Sequence, residues 1–465
     1  MREIFKRVLK KIGPNKKEEE RVKKISRRVL NIAGEIGKKY GFAPMLCGSV
    51  AKGTWLKPAE LDLFLLFPEN LERKKLEELG LKAGREICTN LHASYEKKYT
   101  EHPYLRAMLP EKIEMDVVPC YDVLPTKIKS AVDRTPWHVR FVLEHLKKEQ
   151  RDEVRLLKKF CKAQRVYGAD LVHQGLSGYL CELLIIKFGS FENVVKRASK
   201  WYPQVMLYLH GQPEREVLEE LSKHPLIFID PVDPKRNVAA AVSTETFFRF
   251  VLACKRFLRN PSEKFFFERE REITAEKLKK ILRKRDSRFY LLCFEKPEEH
   301  EDVVISQLRR MAKLLQRNLE SREFSLIRVK EFSFERICGL IIEAEIWKLP
   351  KIMKRVGPEI KAKRHALEFL KHYSTKKAWI EEGKWVIEDE RRFQSIREFL
   401  EHFFRGRESK LKQRGIPSKL ARVAKTLKIF EGDEELIKAA EKSKELRVFL
   451  REYFEFDLNI EGENL

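Results

Sequence analysis

The sequence lacks any apolar stretch of the roughly 18 residues that a membrane-spanning helix needs. It has no C-x-x-C pair, no repeat with a period of 20–50 residues and little Asn or Gln. The first absence excludes a helical membrane anchor, and the third excludes a solenoid or propeller built from repeats. The eight cysteines, at positions 47, 88, 120, 161, 181, 254, 293 and 338, are scattered, mostly within apolar runs. That spacing argues against paired-cysteine metal or redox motifs and predicts buried free thiols in a reducing compartment. The N-terminal "MREIFKRVLKKIG" lacks the uninterrupted apolar core of a signal peptide. With Ile4, Phe5, Val8, Leu9 and Ile12 at helical spacing, it reads as an amphipathic surface helix of a cytoplasmic protein.

What is abundant is charge. Charged residues make up 36% of the 465 positions, and Lys and Arg (96) outnumber Asp and Glu (71), for a net charge of +25. The scarcity of Asn and Gln beside so much Lys, Arg and Glu fits a hot environment. A well-solvated surface needs both signs but no such excess, so the imbalance points to a polyanionic partner, nucleic acid before a membrane surface. The length exceeds one hydrophobic core and predicts two to four domains.

The first 40 residues read as two helices broken at Gly13-Pro14. "APMLCGS" and "LDLFLLF" are strands, 70–95 is a helix, "YEKKYTEHPYLRAML" is strand-like and "IEMDVVPCY" is a further strand, which predicts a mixed or antiparallel sheet. From about 136 to 255 the pattern is helical, and "RNPSEK" at 259–264 marks a boundary. Beyond it come a strand at 288–294, a helix at 302–319, the strands "FSLIRVKEFSF" and "ICGLIIEAEIW", a helix at 363–372 and a hairpin, "KKAWIEEGKWVIED". This β-α-β-β-α-β order is the split pattern of ferredoxin-like modules, common among RNA-binding domains. The expectation is an α+β multidomain chain: a mixed sheet with helices in 1–138, a helical domain in 139–257, an α/β module in 258–393 and a basic helical tail in 394–465.

"CGSVAKGTWLKPAELDLFLLFP" (47–68) raises the chemical question. Its strand is apolar enough for a core, yet carries Glu60 and Asp62. Side chains at i and i+2 point the same way along a strand, so these carboxylates project together and repel. The plain alternative is a strand with one wet face. Against it, Gly48-Ser49 lies upstream at a turn able to offer backbone N–H groups and a hydroxyl to phosphate oxygens, with Lys52 adding charge. A third acid comes from "IEMDVVPCY". Periodicity does not separate Asp116 from Glu114, but the apolar "DVVP" that follows favours Asp116. Three carboxylates on neighbouring strands suit hard divalent cations, and two Mg²⁺ ions would serve the in-line attack of a 3′-hydroxyl on an α-phosphate.

The Gly-Ser turn followed by two acids around an apolar residue is similar to the signature of the nucleotidyltransferases related to DNA polymerase β. "GTWL", "SAVDRTPWH", "EVRLLKKF", "VYGAD", "GLSGYLCELLI" and "DPVDPKRNVAAAVS" resemble more specifically the archaeal-type (class I) CCA-adding enzymes, over about 1–255. The resemblance implies template-independent addition and repair of the 3′-terminal CCA of tRNA from CTP and ATP, with release of pyrophosphate. By matching motif it assigns Glu60, Asp62 and Asp116 to Mg²⁺, and Ser49, Lys52, Thr135, His138, Lys158, Tyr167 and Arg236 to the ATP or CTP. Arg236 would face the base edge. His102 matches a position near the active site, with no role assigned. Without the resemblance, Lys158 reads as a helix-surface lysine, Tyr167 as packing at a helix end, His138 as a first-turn residue and Arg236 as solvated. The chain departs from the family in having Lys52 for the usual Arg, Glu60 for the commoner Asp, and one residue fewer between "GTWL" and the first acid. The expected partner is tRNA, gripped by the basic tail (403–428), with no membrane and a weakly held homodimer. The competing readings are a poly(A) polymerase-like RNA nucleotidyltransferase and a non-catalytic RNA-binding relative.

Overall fold

The computed structural model describes residues 1–99, 103–210, 221–267, 272–374 and 376–454. The chain divides into two compact units, Met1–Arg269 and Glu270–Leu465. Among the described residues no helix is long and apolar enough to cross a membrane.

The first unit opens with α1 (Arg2–Ile12) and α2 (Lys16–Tyr40). Asn15 starts α2 with a capping box: its side chain accepts from the Glu18 N–H, and the Glu18 carboxylate accepts from the Asn15 N–H. There follow β1 (Ala43–Cys47), α3 (Gly48–Lys52), β2 (Glu60–Pro68), α4 (Arg73–Asn90), β3 (Ser94–Tyr99), β4 (Pro103–Met108) and β5 (Glu114–Asp122). The strands form a five-stranded sheet in the order β1-β2-β5-β4-β3. Its β2·β5 pair is parallel and the others are antiparallel, so the sheet is mixed, as expected. In the strand-like 95–109, β3 pairs antiparallel with β4; His102 lies outside the described residues.

The two faces of β2 explain its run of apolar residues. Leu61, Leu63, Leu65 and Phe67 pack into a core shared with Val22, Val29 and Ala33 of α2 and Leu76, Ala83 and Ile87 of α4. Phe64 and Leu66, on the opposite face, are buried with Cys47, Cys120 and Val139. The strand therefore has no wet face. Glu60 and Asp62 occupy only the first two positions of a face that is otherwise core. Burying a leucine at the partly buried Asp62 position would stabilise by up to roughly 1.5–3 kcal/mol, a gain the chain forgoes.

The rest of the unit is mainly helical: α5 (Thr135–His145), α6 (Gln150–Ala163), α7 (Gly178–Phe188), α8 (Phe191–Ala198) and a helix Thr244–Arg259. Two short parallel strands, β6 (Val205–Leu207) and β7 (Leu226–Phe228), interrupt the stretch expected to be helical. The apolar face of α1 packs here and not on the sheet. Phe5, Val8 and Ile12 are buried in the helical core, with the Phe5 ring 5.4 Å from Phe191.

In the second unit β8 (Arg288–Glu295), β9 (Ser325–Ser333) and β10 (Ile337–Ile346) lie beside the helix Glu301–Glu320, which packs against them. The hairpin expected to complete the ferredoxin-like sheet does not do so. β11 (Ile352–Glu359), β12 (Ala378–Glu381) and β13 (Lys384–Glu390) form a separate sheet, ordered β11-β13-β12. The fourth strand is β14 (Lys428–Glu431), from the segment expected to be helical throughout. The sheet order β14-β8-β10-β9, antiparallel at every junction, is the ferredoxin-like arrangement with its last strand supplied from far along the chain.

Candidate active site

The acids stand at the starts of β2 and β5. Parallel register sets Glu60 against Glu114 and Asp62 against Asp116, so each acid of β5 neighbours one acid of β2. Arg106 on β4 lies across from Asp116 and donates from Nε and Nη2 to its two carboxylate oxygens, each at 2.9 Å. Burial, then the charges of Asp116 and Glu60, push the Asp62 carboxyl up to about 6.

Gly48 makes the approach to Asp62 possible. Its φ is +65°, in the region that favours glycine, and a Cβ would sit 1.7 Å from Asp62 Oδ2. Ser49 follows it in the same turn. Gly48→Ala is expected to lower stability by about 1–2 kcal/mol from backbone strain alone and to displace Asp62, cutting nucleotide incorporation by about a hundredfold or more. Thermal unfolding and incorporation assays check both.

The donor set fits a hard divalent cation: carboxylate oxygens on rigid strands, with a mutual repulsion that a cation relieves. Among the described residues no three His, Cys, Asp or Glu side chains close on a single point, and Arg106 holds both Asp116 oxygens.

Behind this strip lies a buried ionic cluster. Glu182 on α7 is fully buried, with Lys52 only 8% and Lys158 only 4% exposed. Lys52 Nζ donates to Glu182 Oε2 at 2.5 Å and Lys158 Nζ to Oε1 at 2.9 Å. Thr54 Oγ1 also donates to Oε1, at 2.6 Å, and accepts from Lys158 Nζ at 3.0 Å. Burial alone would raise the Glu182 carboxyl, but Lys158 and Lys52 outweigh it and hold it at about 2. Burial draws the Lys158 ammonium below the ordinary lysine range. Lys158 is thus not the helix-surface lysine its sequence context suggests. Tyr167 reaches the same place: a Cβ on Gly178, the first residue of α7, would lie 2.9 Å from Tyr167 Oη and 3.6 Å from Lys158 Nζ.

A second buried carboxylate, Asp230, just after β7, gathers the remaining residues. Its Oδ2 accepts from His138 Nε2 at 2.9 Å and Arg236 Nη1 at 2.8 Å, and its Oδ1 from the Val232 N–H at 3.0 Å and Tyr179 Oη at 3.3 Å. Burial would raise this carboxyl, but the hydrogen bond and charge of His138, with help from Val232 and Arg236, hold it below the ordinary range. The His138 ring stacks on Tyr179 at 3.9 Å, and Lys52 Nζ lies 5.9 Å from the Tyr179 ring centroid. Tyr179 therefore joins the two carboxylate clusters. Thr135 begins α5 one turn before His138.

This geometry accords with what the chain is similar to. Residues 26–138 match the nucleotidyltransferase domain family, 152–267 the second domain of tRNA nucleotidyltransferase, and 285–413 the C-terminal domain of the CCA-adding enzyme. The CCA-adding enzyme of Archaeoglobus fulgidus is 36% identical over 394 residues, covering 84% of this chain and 86% of that one. The chain belongs to the CCA-adding enzymes. Those of Methanocaldococcus jannaschii (37% identical, 85% of this chain and 88% of that one) and Methanopyrus kandleri (34%, 98% of each) are similar along the same lines. As a CCA-adding enzyme it is a nucleotidyltransferase, and its mixed sheet is the nucleotidyltransferase core.

Five residues that sequence reasoning did not single out contact the candidate site of this CCA-adding enzyme: Arg106, Thr54, Tyr179, Glu182 and Asp230. A signal existed for the two carboxylates. Glu182 is the one charged residue within "GYLCELLI", and Asp230 ends the apolar run "LIFID". Nothing local marks Arg106, whose partner is on another strand.

Proposed function

We propose that this chain builds and repairs the 3′-terminal CCA of tRNA from CTP and ATP without a nucleic-acid template. The observation that carries the chemistry is the register that sets Asp62 beside Asp116, with Glu60 two residues before Asp62 on the same face. Two Mg²⁺ ions held by Glu60, Asp62 and Asp116 would supply the Lewis acidity for attack by the 3′-hydroxyl and for the leaving pyrophosphate. The tRNA 3′-oxygen bonds to the α-phosphorus, the α–β phosphoanhydride bond breaks, and pyrophosphate leaves. Ser49, Lys52, Lys158 and Tyr167 receive the triphosphate. Thr135 and His138 border the ribose, and Arg236, braced by Asp230, faces the base.

On this reading catalysis lies within 1–138, the segment 139–257 completes the nucleotide site, 258–393 forms the body, and the basic tail 394–465 contacts the tRNA. The enzyme works in the cytoplasm as a weakly held homodimer. A grip through phosphates releases counterions, so tRNA affinity should fall by roughly 10³-fold or more between 50 and 200 mM salt if six or more phosphates are held. Filter binding across a salt series measures this.

The test is incorporation of labelled CTP and ATP onto tRNA transcripts ending before CCA, after C and after CC, with Mg²⁺. Stepwise addition of C, C and A is the expected result. Tailing of any RNA with A alone would make the chain poly(A) polymerase-like. No incorporation alongside tight, salt-sensitive tRNA binding would make it a binding relative.

A further inference from the structure

We propose that Glu182 is a positioning residue of the nucleotide site, holding Lys52 and Lys158 so that charge and donors they leave unmatched meet the incoming triphosphate. The inference rests on the nucleotidyl-transfer reading above and assigns a role to a residue that touches no reacting atom.

The first argument is charge. Two ammonium groups share one carboxylate, and all three side chains are 9% exposed or less. The surrounding partners, Thr54, Tyr167 and Tyr179, are neutral. The cluster thus buries one positive charge more than it compensates internally, and an unmatched buried charge is costly. Asp62 of β2 feels the charge of Lys52, but it is itself crowded by the like charges of Asp116 and Glu60. A polyphosphate supplies what the cluster is short of.

The second argument is donor capacity. Lys158 directs two donors to Glu182 and Thr54, and lies 3.5 Å from the Thr54 carbonyl oxygen. Lys52 directs one donor to Glu182 and has no further hydrogen-bond partner among the described residues. An ammonium carries three donors, so two on this buried lysine remain to be met. Lys52 is also the last residue of α3, the turn that begins at Gly48 and Ser49.

The third argument is that fastening the fold does not explain the arrangement. A buried ion pair often stabilises no better than apolar residues of similar volume, and α7 is otherwise apolar around Glu182. Glu182 instead draws three elements together at one point: α3 through Lys52, the segment after it through Thr54, and α6 through Lys158. It fixes both ammoniums without consuming the capacity of Lys52.

The test is a set of variants of the full chain assayed on tRNA ending in C or CC. Glu182→Gln is expected to raise the KM for CTP and ATP tenfold or more and leave the KM for tRNA within twofold. In a Lys52→Met background the same change should add little, because the effect passes through that lysine. Glu182→Gln leaves two buried ammoniums without a carboxylate, so Glu182→Gln/Lys158→Met, which keeps the wild-type net charge, is compared with Lys158→Met alone. A tenfold or larger rise in nucleotide KM between those two is expected. The proposal is overturned if nucleotide KM stays within twofold in both comparisons, if nucleotide and tRNA KM rise together, or if Glu182→Gln and Lys52→Met combine additively. Failure of the underlying reading looks different, since the wild type would then add no CCA. Equilibrium binding of CTP without tRNA still reads Glu182 in that case: equal affinity in wild type and Glu182→Gln would overturn its role.

Discussion

Asp62→Asn is expected to lower nucleotide incorporation by about a thousandfold or more while raising the melting temperature of the metal-free protein at pH 8. The loss follows from the Lewis-acid contribution at this carboxylate, several kcal/mol at about tenfold per 1.4 kcal/mol. The gain follows from proton linkage. The folded carboxyl titrates at about 6, above the roughly 3.9 of an unfolded aspartate. The folded state therefore binds the proton more tightly, and the ionised carboxylate opposes folding. This penalty is absent below about pH 4, grows through pH 4–6 and reaches roughly 3 kcal/mol above that. Asparagine removes it, so the variant should be the more thermostable protein in chelator at pH 8 and gain nothing at pH 4. Added Mg²⁺ should stabilise the wild type more than the variant. A wild type that melts at the same temperature as the variant at pH 8 would show that Asp62 is not electrostatically strained.

Asp230→Ala should strike stability and nucleotide choice together. Asp230 is fully buried and accepts from His138, Arg236, Val232 and Tyr179. Removing one partner of a buried charged network costs about 3–5 kcal/mol, mostly from the groups left unpaired. Denaturant unfolding of the variant should show a loss of that size. Arg236 would lose its anchor and sample other rotamers, so the base edge would be read by a wandering guanidinium. On tRNA ending in CC, the ratio of A to C added should fall by about tenfold or more, one lost charge-assisted hydrogen bond contributing roughly 1.5–3 kcal/mol. Unchanged fidelity in a folded variant would remove Asp230 and Arg236 from base selection.

The parts of this protein that were legible in its sequence are those whose signal is local. Two acids at i and i+2 in an apolar run name a strand and a shared face without knowledge of any partner. The Gly-Ser turn is likewise readable, and the +25 charge points to a polyanion. Partnership was not legible. Asp116 and Glu114 have equivalent sequence patterns, and only the β2·β5 register shows which acid of β2 each one neighbours. Lys158 reads as a surface lysine because its carboxylate partner lies on another helix. Arg106 meets Asp116 across a strand pair, a relation no spacing encodes. The same limit applied to the second unit. "KIFE" is too short and too closely flanked by helices to read as a strand, so the better-patterned 376–389 hairpin was expected to close the sheet.

β14 carries a further consequence, for how the protein is made. The apolar strand β8 emerges from the ribosome long before Lys428–Glu431 does. At 5–20 residues per second, its outer edge waits on the order of ten seconds for its neighbour. During that time a row of unpaired N–H and C=O groups along "RFYLLCFE" is open to any other strand. The nascent chain is therefore most exposed to aggregation during synthesis of its final third, and truncation before residue 428 would make that exposure permanent.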